Sequence, residues 1–196
     1  MRSLGFLFAW ILAIAAGYFA LVNYSTTPKD SAVASRSWPQ AVSLERDATR
    51  PTLVMFLHPK CPCSTASLRM IEQAEGGHTD TMRTWFVFTK PAHEPDSWCH
   101  GVVWDMAAEI PQSKRLVDID GRIASRFGAI CSGETYIYSA DGTLLFHGGT
   151  TGSRGHEGDC IGTEAIHAIA RGQPPKHSTS PVFGCQLVLP HDEVRP

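Results

Sequence analysis

Cys61-Pro62-Cys63-Ser64 is the stretch of this chain best equipped for chemistry. It follows the apolar run Leu53-Val54-Met55-Phe56-Leu57, which reads as a strand, and precedes a helix-forming segment from Thr65 to Glu75. A strand that delivers cysteines to a helix N-terminus favours thiolates, because the free N–H groups and the positive end of the helix dipole stabilise the anion. The thiolate is the nucleophile of disulfide exchange and also the soft ligand of copper or zinc. Pro62 fixes the backbone between the two sulfurs.

Two redox arrangements are open on the residues alone, and the expected one is a Cys-Pro-Cys site with Cys61 as nucleophile and Cys63 as resolving thiol. In one, Cys61 attacks and Cys63 resolves; a disulfide so closely spaced is strained, and strain makes a disulfide more oxidising. In the other, Cys185, carried back by the C-terminal segment, is the resolving or partner thiol. The structural alternative has Cys61 and Cys63 closing separate disulfides in an oxidising compartment. Of the six cysteines, Cys99 and Cys160 lie in loop-like or helix-start surroundings and read as structural.

Metal chemistry is the competing reading. His58, Cys61 and Cys63 fall within six residues, a donor set suited to Cu(I) or Zn(II), and His156 and Cys185 would add ligands if the fold gathers them. Outside a metal site, His58 and Lys60 are candidates for lowering a cysteine pKa. The second polar concentration is Arg154-Gly155-His156-Glu157-Gly158-Asp159. It reads either as a rim loop that positions a partner or tunes the thiolate, or as a glycine-rich turn with Asp159 capping the next helix. The remaining histidines are scattered, and no phosphate loop, serine elbow or carboxylate array occurs, which argues against most hydrolase and nucleotide chemistry.

The elements that must position these residues are legible. Trp85-Phe86-Val87-Phe88 is a second buried strand, and Ala66, Met70 and Ala74, with Leu68 and Ile71, form the apolar face of a helix that stops at Gly76-Gly77. Leu116 to Ile119 reads as a strand, and Ile123 to Phe127 as a short helix closed by Gly128. Thr135–Tyr138 and Thr143–Phe146 form a hairpin across Asp141-Gly142. A last helix spans roughly Thr163 to Arg171, and Gly172 to Ser180 is an irregular crossing. Trp38-Pro39 reads as packing. The fold class is α/β, a central mixed sheet flanked by helices.

Leu4 to Val22 is uncharged and long enough to cross a membrane. Arg2 ahead of it implies a cytoplasmic N-terminus and an exported remainder. A cleaved signal peptide is the rival, but its nearest small-residue site, Ala32-Val33-Ala34, lies well beyond the apolar stretch. The expected organisation is a signal-anchor over 1–23, a linker over 24–37, a domain over 38–190 and a tail over 191–196. The formal charge of the chain is −2 and it has no basic block, which argues against nucleic-acid partners.

A family likeness rests on specific stretches. They are Phe56-Leu57-His58-Pro59-Lys60-Cys61-Pro62-Cys63-Ser64, Asp120-Gly121-Arg122-Ile123-Ala124 with Phe127-Gly128-Ala129, and Asp141-Gly142 with Leu144-Leu145-Phe146. Gly148-Gly149, Ser153 to Asp159 and the ending Pro181-Val182-Phe183-Gly184-Cys185 continue them. On these the chain, from about Trp38 to Leu187, resembles the thioredoxin-like superfamily and most closely its RedB-type membrane-anchored periplasmic proteins. The resemblance implies a thioredoxin-like fold behind one transmembrane helix. It implies a bacterial inner-membrane, single-pass location with the C-terminal domain in the periplasm, and thiol–disulfide exchange with exported protein thiols or disulfides. It also brings Cys131, just ahead of the Thr135 strand, close to the site as a third possible partner thiol.

The likeness departs from the thioredoxin pattern in two places. Ser64 stands where Cys-x-x-Cys would put its second cysteine, and Glu134 stands where a cis-proline would offer a platform to a substrate backbone. The superfamily's copper chaperones use Cys-x-x-x-Cys with a distant histidine, a spacing absent here. A peroxiredoxin-like peroxidase is a further alternative, although His58 occupies the position where a peroxidatic cysteine has its threonine.

Overall fold

The computed structural model describes residues 2–29, 34–75 and 81–189. The Gly76-Gly77 helix stop, most of Ala32-Val33-Ala34, and the 191–196 tail lie outside the described residues. Helix α1 (Arg2–Thr26) carries an uncharged stretch, Leu4–Thr26, of 23 residues. None of it is buried against the rest of the chain, so one helix here is long and apolar enough to cross a membrane. It runs to Thr26, past the expected end at position 23.

The five-stranded sheet is built around β1 (Thr52–Leu57), all six residues of which are buried. A strand covered on both faces must be apolar throughout, which is why its sequence shows no alternation. Helix α2 (Pro62–Glu75) crosses from β1 to the parallel strand β2 (Arg83–Lys90). A 3-10 turn (Asp96–Cys99) and α3 (Val102–Glu109) lead to β3 (Ser113–Ile119), parallel to β2 at the sheet edge. After α4 (Arg122–Phe127), strand β4 (Glu134–Tyr138) lies antiparallel to β1 and turns through Asp141-Gly142 into β5 (Leu144–Gly148). Helix α5 (Ile161–Ala170) follows, and the sheet order is β3-β2-β1-β4-β5.

Strand alternation divides the core into two layers. Leu53, Met55 and Leu57 pack with Leu68, Ile71, Phe86, Phe88, Phe146 and Ile166 beneath α2, α3 and α5. Val54 and Phe56 pack on the other face with Val87, Tyr136, Tyr138, Phe127 and Leu187. Trp38 joins that layer edge-on to Phe127 and Tyr138, so its role is packing, as expected. Helix α4 ends as the sequence implied: Gly128 adopts φ 82°, a left-handed conformation that suits glycine.

The segment between β2 and β3 differs from expectation. Its helix α3 is only eight residues long, too short for its buried positions, Val103 and Ala107, to display a full periodic pattern. Strand β3 is longer than read because Ser113, Lys114 and Arg115 continue its pairing with β2 at the exposed edge, where polar residues are tolerated.

Candidate active site

The C-terminal end of β1 delivers Cys61 to the N-cap of α2. The Cys61 amide donates to the His58 carbonyl at 3.1 Å, and the Cys61 carbonyl accepts from Ser64 N–H at 3.1 Å, opening the helix. Pro62 takes the first helical position, where a missing N–H is harmless and a fixed φ is helpful. Ser64 takes no sulfur chemistry from the vacated cysteine position. Its hydroxyl bonds the His58 carbonyl at 3.1 Å and the Ser132 hydroxyl at 2.8 Å, and Ser132 Oγ in turn accepts the His58 amide at 2.9 Å.

The loop before β4 meets the C-terminal segment beside this turn. Ser132 N–H donates to the Cys185 carbonyl at 2.8 Å, Leu187 N–H donates to the Ile130 carbonyl at 2.9 Å, and Cys131 pairs with Gln186. The close approach requires Gly184, where an added Cβ would lie 2.0 Å from the Ser132 carbonyl oxygen and 3.1 Å from Cys131 Sγ. The result is a Cys61 Sγ to Cys185 Sγ distance of 2.7 Å. Both are free thiols, as are the other four cysteines. Cys61 is almost fully buried, whereas Cys63 and Cys185 are partly exposed.

The site polarises its thiols unequally. Burial pushes Cys61 up, but the Cys185 thiol and N–H, the Cys63 N–H and the Ser64 hydroxyl all favour its anion and bring it below the ordinary thiol value. Burial pushes Cys63 up, helped by the neighbouring Cys61 charge and by its hydrogen bond to Cys61, while Arg154 and a hydrogen bond with Cys185 pull the other way. Cys185 is raised by burial, by its hydrogen bond to Cys61 and by the Cys61 and Cys63 charges, again against Arg154. Cys131 is pushed to about 12 by burial and by Glu134. Arg154 is thus the cation of the site, and its guanidinium donates to the Gly184 carbonyl.

His58 and Lys60 make contacts of their own beside the site, and the Lys60 charge pulls the Cys99 pKa down against the larger upward push of burial. Burial, then the Lys60 charge, lowers the His58 pKa. Its Nδ1 accepts the Lys60 amide, and the Lys60 ammonium sits 4.3 Å over the Trp98 ring. In the polar loop, Glu157 pairs with Arg69 of α2 at 2.8 Å, which clamps the loop to the helix carrying Cys61 and Cys63. His156 is exposed, with its ring against Gly158. Asp159 does not cap α5. Cys160 holds the N-cap position, one residue later, and Thr163 Oγ1 accepts its amide at 3.0 Å. Among the described residues, no group of three or more His, Cys, Asp or Glu side chains is placed to hold a metal ion.

Glu134 is the residue whose importance the sequence hid. It is fully buried, and its carboxylate accepts the amides of Ile130 at 3.0 Å and Cys131 at 3.2 Å and the Tyr136 hydroxyl at 3.0 Å. His147 Nε2 lies 2.8 Å from it. In place of a proline platform, a carboxylate fixes the loop, and the main chain of Ser132 is engaged by Cys185. The available signal is an acidic residue at the head of the apolar-aromatic run Glu134-Thr135-Tyr136-Ile137-Tyr138, where burial demands hydrogen-bond partners.

A mixed sheet with cysteines between its central strand and the following helix, and an antiparallel hairpin on the other side, defines the architecture. The chain has a thioredoxin-like fold. No protein-family model and no curated protein matches the chain. Among solved structures it is similar to a hypothetical protein of Sinorhizobium meliloti (17% identity, TM-score 0.63, covering 82% of this chain and 98% of that one). It is also similar to an uncharacterized conserved protein of Geobacillus kaustophilus (17% identity, TM-score 0.59, covering 82% and 93%). A secreted Mycobacterium tuberculosis disulfide oxidoreductase gives a looser match (16% identity, TM-score 0.44, covering 64% and 83%). At these identities the likeness is one of fold; the chemistry rests on the thiols of this chain.

Proposed function

We propose that this chain is a membrane-anchored thiol–disulfide oxidoreductase whose redox pair is Cys61 and Cys185. In this reading it is a RedB-type protein of a bacterial inner membrane, with its domain on the periplasmic side and exported protein thiols as partners. The observation that carries the proposal is the 2.7 Å separation of the two sulfurs at the N-terminus of α2.

The inequality of the thiols sets the course of the exchange. In the oxidised form a Cys61–Cys185 disulfide presents its Cys185 sulfur outward, because Cys61 is the buried member. A partner thiolate attacks Cys185 Sγ, the Cys61–Cys185 bond breaks, and Cys61 departs as a thiolate that its hydrogen-bond donors already favour. Exchange is faster when the leaving thiol has a low pKa. The partner's second thiolate then attacks the partner sulfur of the mixed disulfide and expels Cys185, which takes up a proton. Two electrons pass from the partner dithiol to the Cys61–Cys185 pair, and the partner leaves as a disulfide. A stabilised Cys61 thiolate favours the reduced protein, which moves the pair toward a more oxidising potential. Cys63, partly exposed beside the pair, is an auxiliary thiol in this scheme.

The test is turnover of a dithiol peptide by the full chain against Cys61→Ser, Cys63→Ser and Cys185→Ser. Loss in the Cys61 and Cys185 variants, with activity kept in Cys63→Ser, supports the pair. Undiminished turnover in Cys185→Ser contradicts it.

A further inference from the structure

Arg154 ties the site to the end of α1. Its amide donates to the Ser25 carbonyl at 3.0 Å, its Nε donates to the Tyr24 carbonyl at 3.1 Å, and its guanidinium lies 4.7 Å over the Tyr24 ring. The same guanidinium donates to the carbonyl of Gly184, the residue before Cys185. A second tie runs in parallel: Lys29 N–H donates to the Val182 carbonyl at 2.9 Å. The chain leaving α1 is therefore fastened at two points to the segment that carries Cys185.

Length converts these ties into a height. The 23 residues Leu4–Thr26 form a helix about 34 Å long, against a hydrocarbon core of about 30 Å. Tyr24, Ser25 and Thr26 then stand at the outer headgroup boundary, where tyrosine and basic residues are favoured. Arg154 bridges Tyr24 to Gly184, so Cys185 lies on the order of 10 Å from that boundary.

We infer that the Cys185 sulfur works within the headgroup layer, and that its partner is an integral membrane protein presenting a dithiol at that outer surface. This rests on reading α1 as an anchor and on the redox pair proposed above. A soluble exported protein would need its thiols to reach down to the bilayer, whereas a membrane protein whose cysteines sit at a helix end meets Cys185 at its own level.

Two measurements on the full chain in vesicles test the inference. The first attaches a fluorophore to Cys185 in a Cys61→Ser, Cys63→Ser, Cys160→Ser protein, in vesicles containing lipid with a nitroxide headgroup. Strong quenching is expected, and it should be lost when twelve Gly/Ser residues are inserted between Val22 and Asn23, ahead of every residue tied to Arg154 or Val182. Absence of quenching without the insert overturns the inference whatever the redox activity. The second compares exchange with a dithiol at the outer end of a synthetic transmembrane helix and with the same dithiol raised about 20 Å on a helical extension, about 13 residues long. The unmodified chain should react at least tenfold faster with the lower dithiol, and the insert should bring the ratio near one while sparing exchange with a soluble dithiol peptide. Equal rates for the unmodified chain overturn the inference and leave the redox pair standing. Quenching without exchange at any dithiol contradicts the redox pair, and with it the membrane-dithiol partner.

Discussion

Cys61 and Cys185, 124 positions apart in sequence, place their Sγ atoms 2.7 Å apart. The proximity is held from both sides: Cys61 by the turn at the start of α2, Cys185 by main-chain pairing to the Cys131-Ser132 loop. Cys63, two residues from Cys61, is raised in pKa and partly exposed, as Cys185 is.

Replacing Cys185 with Ser should reduce dithiol oxidation by about 100-fold or more, and Cys63→Ser should stay within about threefold of the unmodified chain. Initial rates with a dithiol peptide check both.

Gly184→Ala should separate the pair without touching a sulfur. Its Cβ would meet the Ser132 carbonyl at 2.0 Å, a contact that only backbone movement relieves. A destabilisation of about 1–3 kcal/mol is expected from such overpacking, with a reduced yield of the Cys61–Cys185 crosslink under mild oxidation. Urea unfolding and peptide mapping read the two effects separately.

Glu134→Ala should be among the most damaging changes outside the cysteines. It strands the amides of Ile130 and Cys131, the Tyr136 hydroxyl and His147 in a buried site. About 3 kcal/mol or more of stability should be lost, since each buried donor left without a partner costs about 1–3 kcal/mol. The shift of the urea midpoint gives the value.

The Cys61 thiolate predicts a pH dependence. Its pKa is depressed in the folded, reduced protein, so its contribution to stability is fully present above the ordinary thiol value of 9.0. That contribution declines as pH falls and disappears below the lowered folded value. The stability of the reduced protein relative to its Cys61→Ser variant should therefore shrink between pH 9.5 and pH 6. Paired urea titrations at the two pH values measure it.

Much of this was legible because it is local. The uniformly apolar Leu53–Leu57 run declared a strand buried on both faces, and the cysteines that follow it declared a helix start. Asp141-Gly142 declared a hairpin, and Gly128 a helix end. What escaped depends on tertiary partners. Ser132 gains its role only when His58 and Ser64 arrive beside it, and the buried Glu134 carboxyl is tolerable only because three donors and the His147 ring converge on it. Asp159 looked like a helix cap by residue type, but the helix begins one residue too late for it to serve. The contacts of Lys60 with Trp98 and of His58 with the Lys60 amide are tertiary or loop details that residue type alone does not show.

The most direct test of the central claim is disulfide mapping of the full chain after mild oxidation, with copper and zinc measured on the same sample. A Cys61–Cys185 redox pair gives a reducible Cys61–Cys185 bridge, with Cys63 free and no stoichiometric metal. A Cys61–Cys63 bridge, or free Cys61 and Cys185 with one equivalent of copper or zinc, would contradict it.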